Sequence, residues 1–167
     1  MRTALDADLS ALDEQEKEFV AQIREHGWFG TSVFGDAEGP GFSYTTGFWL
    51  NLNFPEVITF SLKREIAHDT FWHIYRTLKS GDVFAIGKPI ESIFESGEAA
   101  LLPVPEGQFR DHLGWNRWFY GGDAFRCVQL IWTDPNGFFP WQAGYSADLI
   151  DAQPDLTEGK WSGLRHY

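Results

Sequence analysis

Asp111 and His112 are neighbours in the chain, and an imidazole beside a carboxylate is the pairing that general acid–base chemistry uses. With Asp134 as a second carboxylate, His112 could serve a small hydrolase-like site whose cleft lies near Tyr44, Thr46 and the Trp132–Trp141 stretch. Neighbours in sequence often point apart, so a loop histidine beside a solvated aspartate is the simpler expectation. No nucleophile stands out. There is no Gly-x-Ser-x-Gly elbow. The single cysteine, Cys127, sits between Arg126 and Val128 in an apolar run that favours an inert core thiol.

Metal chemistry needs ligands that converge. His26, His68, His73, His112 and His166 form neither His-Glu-x-x-His nor His-x-His. His68 and His73 fall on one predicted helix, but five residues place them about 140° apart around it. The segment Gly35 to Gly41 is rich in glycine yet matches no phosphate-binding loop, and Asp36 and Glu38 inside it would repel phosphate. No metal and no cofactor are expected.

Recognition has more candidates. Tyr44 and Thr46 belong to a hydroxyl-rich strand, Ser43-Tyr44-Thr45-Thr46. Trp115, Trp118, Phe119 and Tyr120 form an aromatic cluster, a recognition patch if exposed and core if buried. Asp13, Glu14 and Glu18 give the first helix an acidic face, which in the plainest reading is only solvated. The net charge of −11 repels phosphate backbones and speeds the approach of a basic protein. The expected function is an acidic protein-binding domain without catalysis, of the immunity type that covers a basic toxin or enzyme. The small hydrolase is the alternative.

The 167 residues suit one domain with a sizeable core, with 1–5 and 154–167 as loose ends. Aromatic residues make up 17% of the chain, so the core is expected to be aromatic-rich. One cysteine forms no internal disulfide, and no apolar run approaches the ~18 residues of a spanning helix. A cytoplasmic protein with no membrane and no nucleic-acid contact follows.

The elements that must position these residues are read from periodicity. Residues 6–26 carry a helical stripe, Leu9, Leu12, Phe19 and Ile23, ended by Gly27. Strands are expected over 28–34, 41–49 and 56–62, with Gly47 marking a bulge or a close backbone approach. Ala67, Phe71, Ile74, Tyr75 and Leu78 define a second helix over 63–79. Short strands follow over 82–86 and 99–104. Residues 107–122 read as a short helix or an aromatic loop. A long strand over 125–133 leads through Thr133-Asp134-Pro135-Asn136-Gly137, a tight turn, into an aromatic return arm over 138–145. The fold class is α+β, a mostly antiparallel sheet packed with two principal helices.

Four stretches, taken together, resemble a known family. They are Glu25-His26-Gly27-Trp28, Phe42-Ser-Tyr-Thr-Thr-Gly-Phe48, Pro55-Glu56-Val-Ile-Thr-Phe60 and Gln129-Leu-Ile-Trp-Thr-Asp-Pro-Asn-Gly-Phe-Phe-Pro-Trp141. In order and spacing they are similar to the bacterial domain-of-unknown-function family DUF4262, over roughly residues 20–145. The last stretch is the most specific. The resemblance implies a soluble bacterial α+β domain and brings no activity or catalytic residue with it. The first residues, the Trp115–Tyr120 cluster and the tail depart from the family pattern.

Overall fold

A computed structural model describes residues 1–159, 161 and 164. His166 and part of the expected loose tail lie outside the described residues. The first helix, α1, spans Glu14–His26, and the expected start at residue 6 is corrected. Two separate 3-10 turns, Ala4–Asp6 and Leu9–Ala11, precede it. The cause is capping. Asp13 Oδ1 accepts the Glu16 N–H at 2.8 Å, and the Glu16 carboxylate accepts the Asp13 N–H at 2.9 Å. Such a reciprocal box starts a helix and ends whatever came before it. The first residues are tied down as well: Thr3 is buried and caps the first turn, and Arg24 donates to the Leu5 carbonyl.

Five strands follow: β1 Phe29–Val33, β2 Phe42–Thr46, β3 Glu56–Phe60, β4 Ala99–Pro103 and β5 Cys127–Trp132. They form one sheet in the order β1-β2-β3-β5-β4. The β1–β2, β2–β3 and β4–β5 pairs are antiparallel, whereas β3–β5 is parallel. The class is α+β with a mixed sheet. A parallel pair needs a long crossover. Here that crossover carries α3 (Arg64–Lys79), β4, and two short helices, α4 (Phe109–His112) and α5 (Gly114–Tyr120). No strand forms over 82–86. The chain instead crosses to β4 irregularly, through the Ile90–Ala99 bridge.

Alternation along the strands divides the core. Val57, Leu101, Val128 and Leu130 face α3, where Ala67, Phe71 and Ile74 close over them together with Trp28 and Phe48. Tyr44, Ile58, Phe60 and Cys127 face the other way, toward Phe19 and Ile23 of α1, Phe109 of α4, Phe119 of α5 and Leu113 between those two helices. A third cluster, Ala100, Leu102 and Ile131, is covered by Phe139, whose ring stacks on Trp141 at 4.5 Å.

The expected return arm after β5 is not a strand. Asp134 and Phe138 share one backbone hydrogen bond of 2.8 Å, and the chain then leaves the sheet. Side-chain amides take the place of a ladder partner. Gln153 accepts from the Trp132 N–H and donates to its carbonyl, both at 3.0 Å. Gln129 does the same for Leu156 N–H and Pro154 C=O. These contacts fix Gln153, Pro154 and Leu156 against β5.

The expected strand over 41–49 stops at Thr46, and a one-turn helix, α2 (Phe48–Leu52), begins after Gly47. Gly47 has φ +115, and a Cβ there would lie 2.5 Å from the Gly27 carbonyl oxygen and 2.9 Å from the Trp28 Cα. This is a backbone crossing that admits no side chain. Gly47→Ala is expected to cost ~3 kcal/mol through strain and overlap together, read as a lower urea midpoint at unchanged slope.

Candidate functional site

The residues singled out in the sequence lie in separate places. Tyr44 and Thr46 are buried and face α5. The Tyr44 hydroxyl accepts the Trp115 N–H at 3.1 Å, and burial pushes its pKa up. The Thr46 hydroxyl donates to Asn116 Oδ1. Trp115 stacks on Phe19 at 4.5 Å, and Trp118 packs edge-on against both. Tyr120 is buried beneath them. The structure therefore brings Tyr44, Thr46, Trp115, Trp118 and Tyr120 together as packing between the sheet and α5. Asp13, Glu14 and Glu18 are exposed on α1, where Asp13 caps, Glu14 pairs with Lys17 and Glu18 accepts from Gln22.

His112, Asp111 and Asp134 are engaged separately. His112 Nδ1 donates to the Gln108 carbonyl, and its ring lies edge-on to Phe42 and Phe60 at 5.4 and 5.9 Å. Asp111 is exposed. Asp134 is buried just past β5, where its carboxylate accepts the N–H groups of Asn136, Phe138 and Ser146 at 2.9–3.0 Å. Desolvation pushes its pKa up, but these backbone donors together outweigh it and hold the group below its ordinary range. A depressed carboxylate stabilises the fold above that range and loses its contribution as the pH falls through it. Asp134→Ala is expected to speed amide exchange over residues 138–146 while leaving α1 unchanged.

The most unusual ionisable group is Glu56, which is fully buried at the start of β3. Its Oε1 accepts from the Thr45 hydroxyl (2.8 Å) and the Phe48 N–H (3.1 Å). Its Oε2 accepts from the Tyr120 hydroxyl (2.5 Å) and the N–H groups of Gly47 (3.0 Å) and Trp49 (3.3 Å). One carboxylate therefore accepts the Gly47, Phe48 and Trp49 N–H groups at the start of α2, while the Tyr120 hydroxyl takes the Leu50 N–H at 3.2 Å, which together tie that helix to β2 and α5. Desolvation is the largest influence on it and wins over the hydrogen bonds, so the pKa rises to about 7. Burial, then the Glu56 charge, pushes both the Tyr120 phenol and the Cys127 thiol far up, leaving that thiol inert. Glu56 has no route to solvent and serves as a clamp.

A cleft of about 680 Å³ opens between the end of α1, β1 and the first half of α3. Its walls are aromatic: Trp28, Phe29, Phe71 and Trp72. Gly30 makes its floor, because a Cβ there would already lie 3.2 Å from Trp28 and 3.9 Å from His68 Nδ1. Trp72 is the exposed ring at the mouth, 36% accessible. It is held between Tyr75, stacked at 5.6 Å, and the Arg76 guanidinium 5.3 Å above its face. Ser32 and Ser43 share a 2.8 Å hydroxyl contact across β1 and β2. Gln22, His26, Arg64, Glu65, His68 and Asp69 supply the polar lining. Among the described residues Arg64, Glu65 and Asp69 form no ion pair, and no group of three or more His, Cys, Asp or Glu is gathered that could hold a metal.

Of these cleft residues only Ser43 was named from the sequence as a recognition candidate, within the hydroxyl-rich strand; the others were not singled out as a site. The signal available was modest: Glu65 with Asp69, and His68 with Trp72, recur four residues apart on α3, so each pair shares a face. That face reads as solvated until β1 is placed beside it.

The family described as Domain of unknown function (DUF4262) matches residues 22–146, a span that contains β1, the cleft, Glu56 and β5. No curated protein and no solved structure matches. Among the described residues no helix is long and apolar enough to cross a membrane.

Proposed function

The chain belongs to the DUF4262 family, and we propose that it is a non-catalytic recognition domain whose partner docks at the cleft between α1, β1 and α3. The observation that carries the reading is the cleft itself. It combines a pocket-sized hollow, aromatic walls, one ring held ready at the mouth and charged groups left without partners. A binding surface needs such groups pre-positioned.

We propose further that the partner is a basic protein, covered as an immunity-type protein covers its target, in the bacterial cytoplasm. The net charge of −11 supports steering of such a partner, and the single free thiol suits a reducing compartment. The test is affinity capture from the native host with the wild-type chain and with a Glu65→Lys/Asp69→Lys double variant. The wild type is expected to retain a basic protein at low salt, and high salt or the double variant to release most of it. Turnover of a small molecule by the purified chain, blocked by the same substitutions, would replace recognition with an enzyme reading.

A further inference from the structure

We propose, building on the recognition reading, that the partner enters as an extended lysine- or arginine-rich segment that adds a strand to the open edge of β1. The two edges of the sheet are treated differently by this chain. At β4 the chain covers itself: Ile90 and Ala99 exchange backbone hydrogen bonds of 2.7 and 2.8 Å, and the Gly87 N–H reaches the Leu101 carbonyl at 2.9 Å. At β1, pairing runs to β2 on one side, and among the described residues no backbone group outside β2 bonds to Phe29–Val33. In an antiparallel pair every second residue turns its N–H and C=O away from its partner. Three residues of β1, Phe29, Gly30 and Ser32, line the cleft.

This edge also lacks the usual protections. β1 contains no proline, lysine or other charged residue, and its register with β2 is unbroken from Phe29–Thr46 to Val33–Phe42. The apolar surface continues past it, with Val33 41% and Phe34 87% exposed. Gly30 and Ser32 lie on the same face of β1 and both line the cleft. Alternate side chains of an added strand would therefore project toward the cleft on that same face.

Charge selects the occupant. Glu65 and Asp69 line the cleft, and exposed Asp36 and Glu38 follow the end of β1, whereas Arg64 is the one lysine or arginine in the lining. A second copy of the chain would bring another net charge of −11 to the same edge and be repelled. A cationic extended segment meets both the backbone groups and the carboxylates.

The probe is a synthetic peptide of about ten residues alternating Val and Lys. It is used with an Asp-for-Lys twin and with two forms N-methylated on alternate residues, one for each edge. Tryptophan fluorescence gives affinity, and hydrogen exchange reports the β1 amides. The lysine peptide is expected to slow alternate amides within Phe29–Val33 by about tenfold or more, and the Asp twin to bind at least about tenfold more weakly. Methylation of one peptide edge is expected to weaken binding by about tenfold or more and methylation of the other to leave it unchanged. Equal loss from both methylated forms, unaltered β1 exchange, equal binding of the Asp twin, or sedimentation showing that the chain alone dimerises through β1 would each overturn the proposal. A host partner captured at the cleft that leaves β1 exchange unchanged would overturn strand addition while the recognition reading stands.

Discussion

Glu56→Gln is expected to destabilise the fold by about 3 kcal/mol, although the side chains are almost the same size. Each carboxylate oxygen of Glu56 is surrounded by donors, two on Oε1 and three on Oε2. An amide must turn its NH₂ toward one set, leaving two or three buried donors without an acceptor, at ~1–3 kcal/mol for each group stranded. The loss is a large share of an ordinary domain's ~5–15 kcal/mol. A protonated carboxyl behaves differently, since each oxygen keeps a lone pair that still accepts. The pH dependence follows. Burial raises this pKa from 4.5 to about 7, so the folded chain holds a proton that the unfolded chain releases. The resulting stabilisation is complete below about pH 4.5 and declines as the pH rises to about 7, by on the order of 3 kcal/mol in all. The Gln variant lacks this slope, so urea unfolding of the two proteins at several pH values should show their difference widening toward acid. A flat difference would mean that Glu56 has an ordinary pKa in the fold.

Gly30→Leu is expected to weaken capture of the partner by about 100-fold while changing stability by no more than about 1 kcal/mol. The position is an ordinary strand residue with no left-handed φ, so a side chain is compatible with its backbone. A Cβ would lie 3.2 Å from the Trp28 ring and 3.8 Å from Phe71, so Trp28 must give by a few tenths of an ångström. The remaining methyl groups would occupy the cleft floor that the partner must fill. Equilibrium binding together with a urea titration separates the two effects. Loss of stability in step with loss of binding would contradict the assignment of this glycine to recognition.

The fold was largely legible because its elements rest on local patterns. The stripe Ala67, Phe71, Ile74 and Tyr75 requires a helix that buries one face, and Glu56–Phe60 has the β-branched and aromatic character of a central strand. The errors arose where a side-chain hydrogen bond overruled the periodic pattern. Asp13 with Glu16 restarted the helix that periodicity ran back to residue 6. Glu56 capped α2 and ended β2 early, and Gln153 supplied the hydrogen bonds expected of a return strand.

The site was less legible for the same reason. Tyr44 and Trp115 are chemically suited to recognition, but the bond between the Tyr44 hydroxyl and the Trp115 N–H uses them in packing across 71 residues of sequence. Glu56 could have been noticed as a carboxylate opening an otherwise apolar strand. The cleft joins α1, β1 and α3, and no one stretch of sequence contains it.

Site-directed photo-crosslinking bears most directly on where recognition occurs. A photoreactive phenylalanine analogue would be placed at Trp72, in the mouth of the cleft, and separately at Val83, which is 84% exposed and outside the cleft lining. In the native host, a basic protein crosslinked from position 72 and not from position 83 is the result this account predicts. The same product from both positions, or from 83 alone, would contradict it.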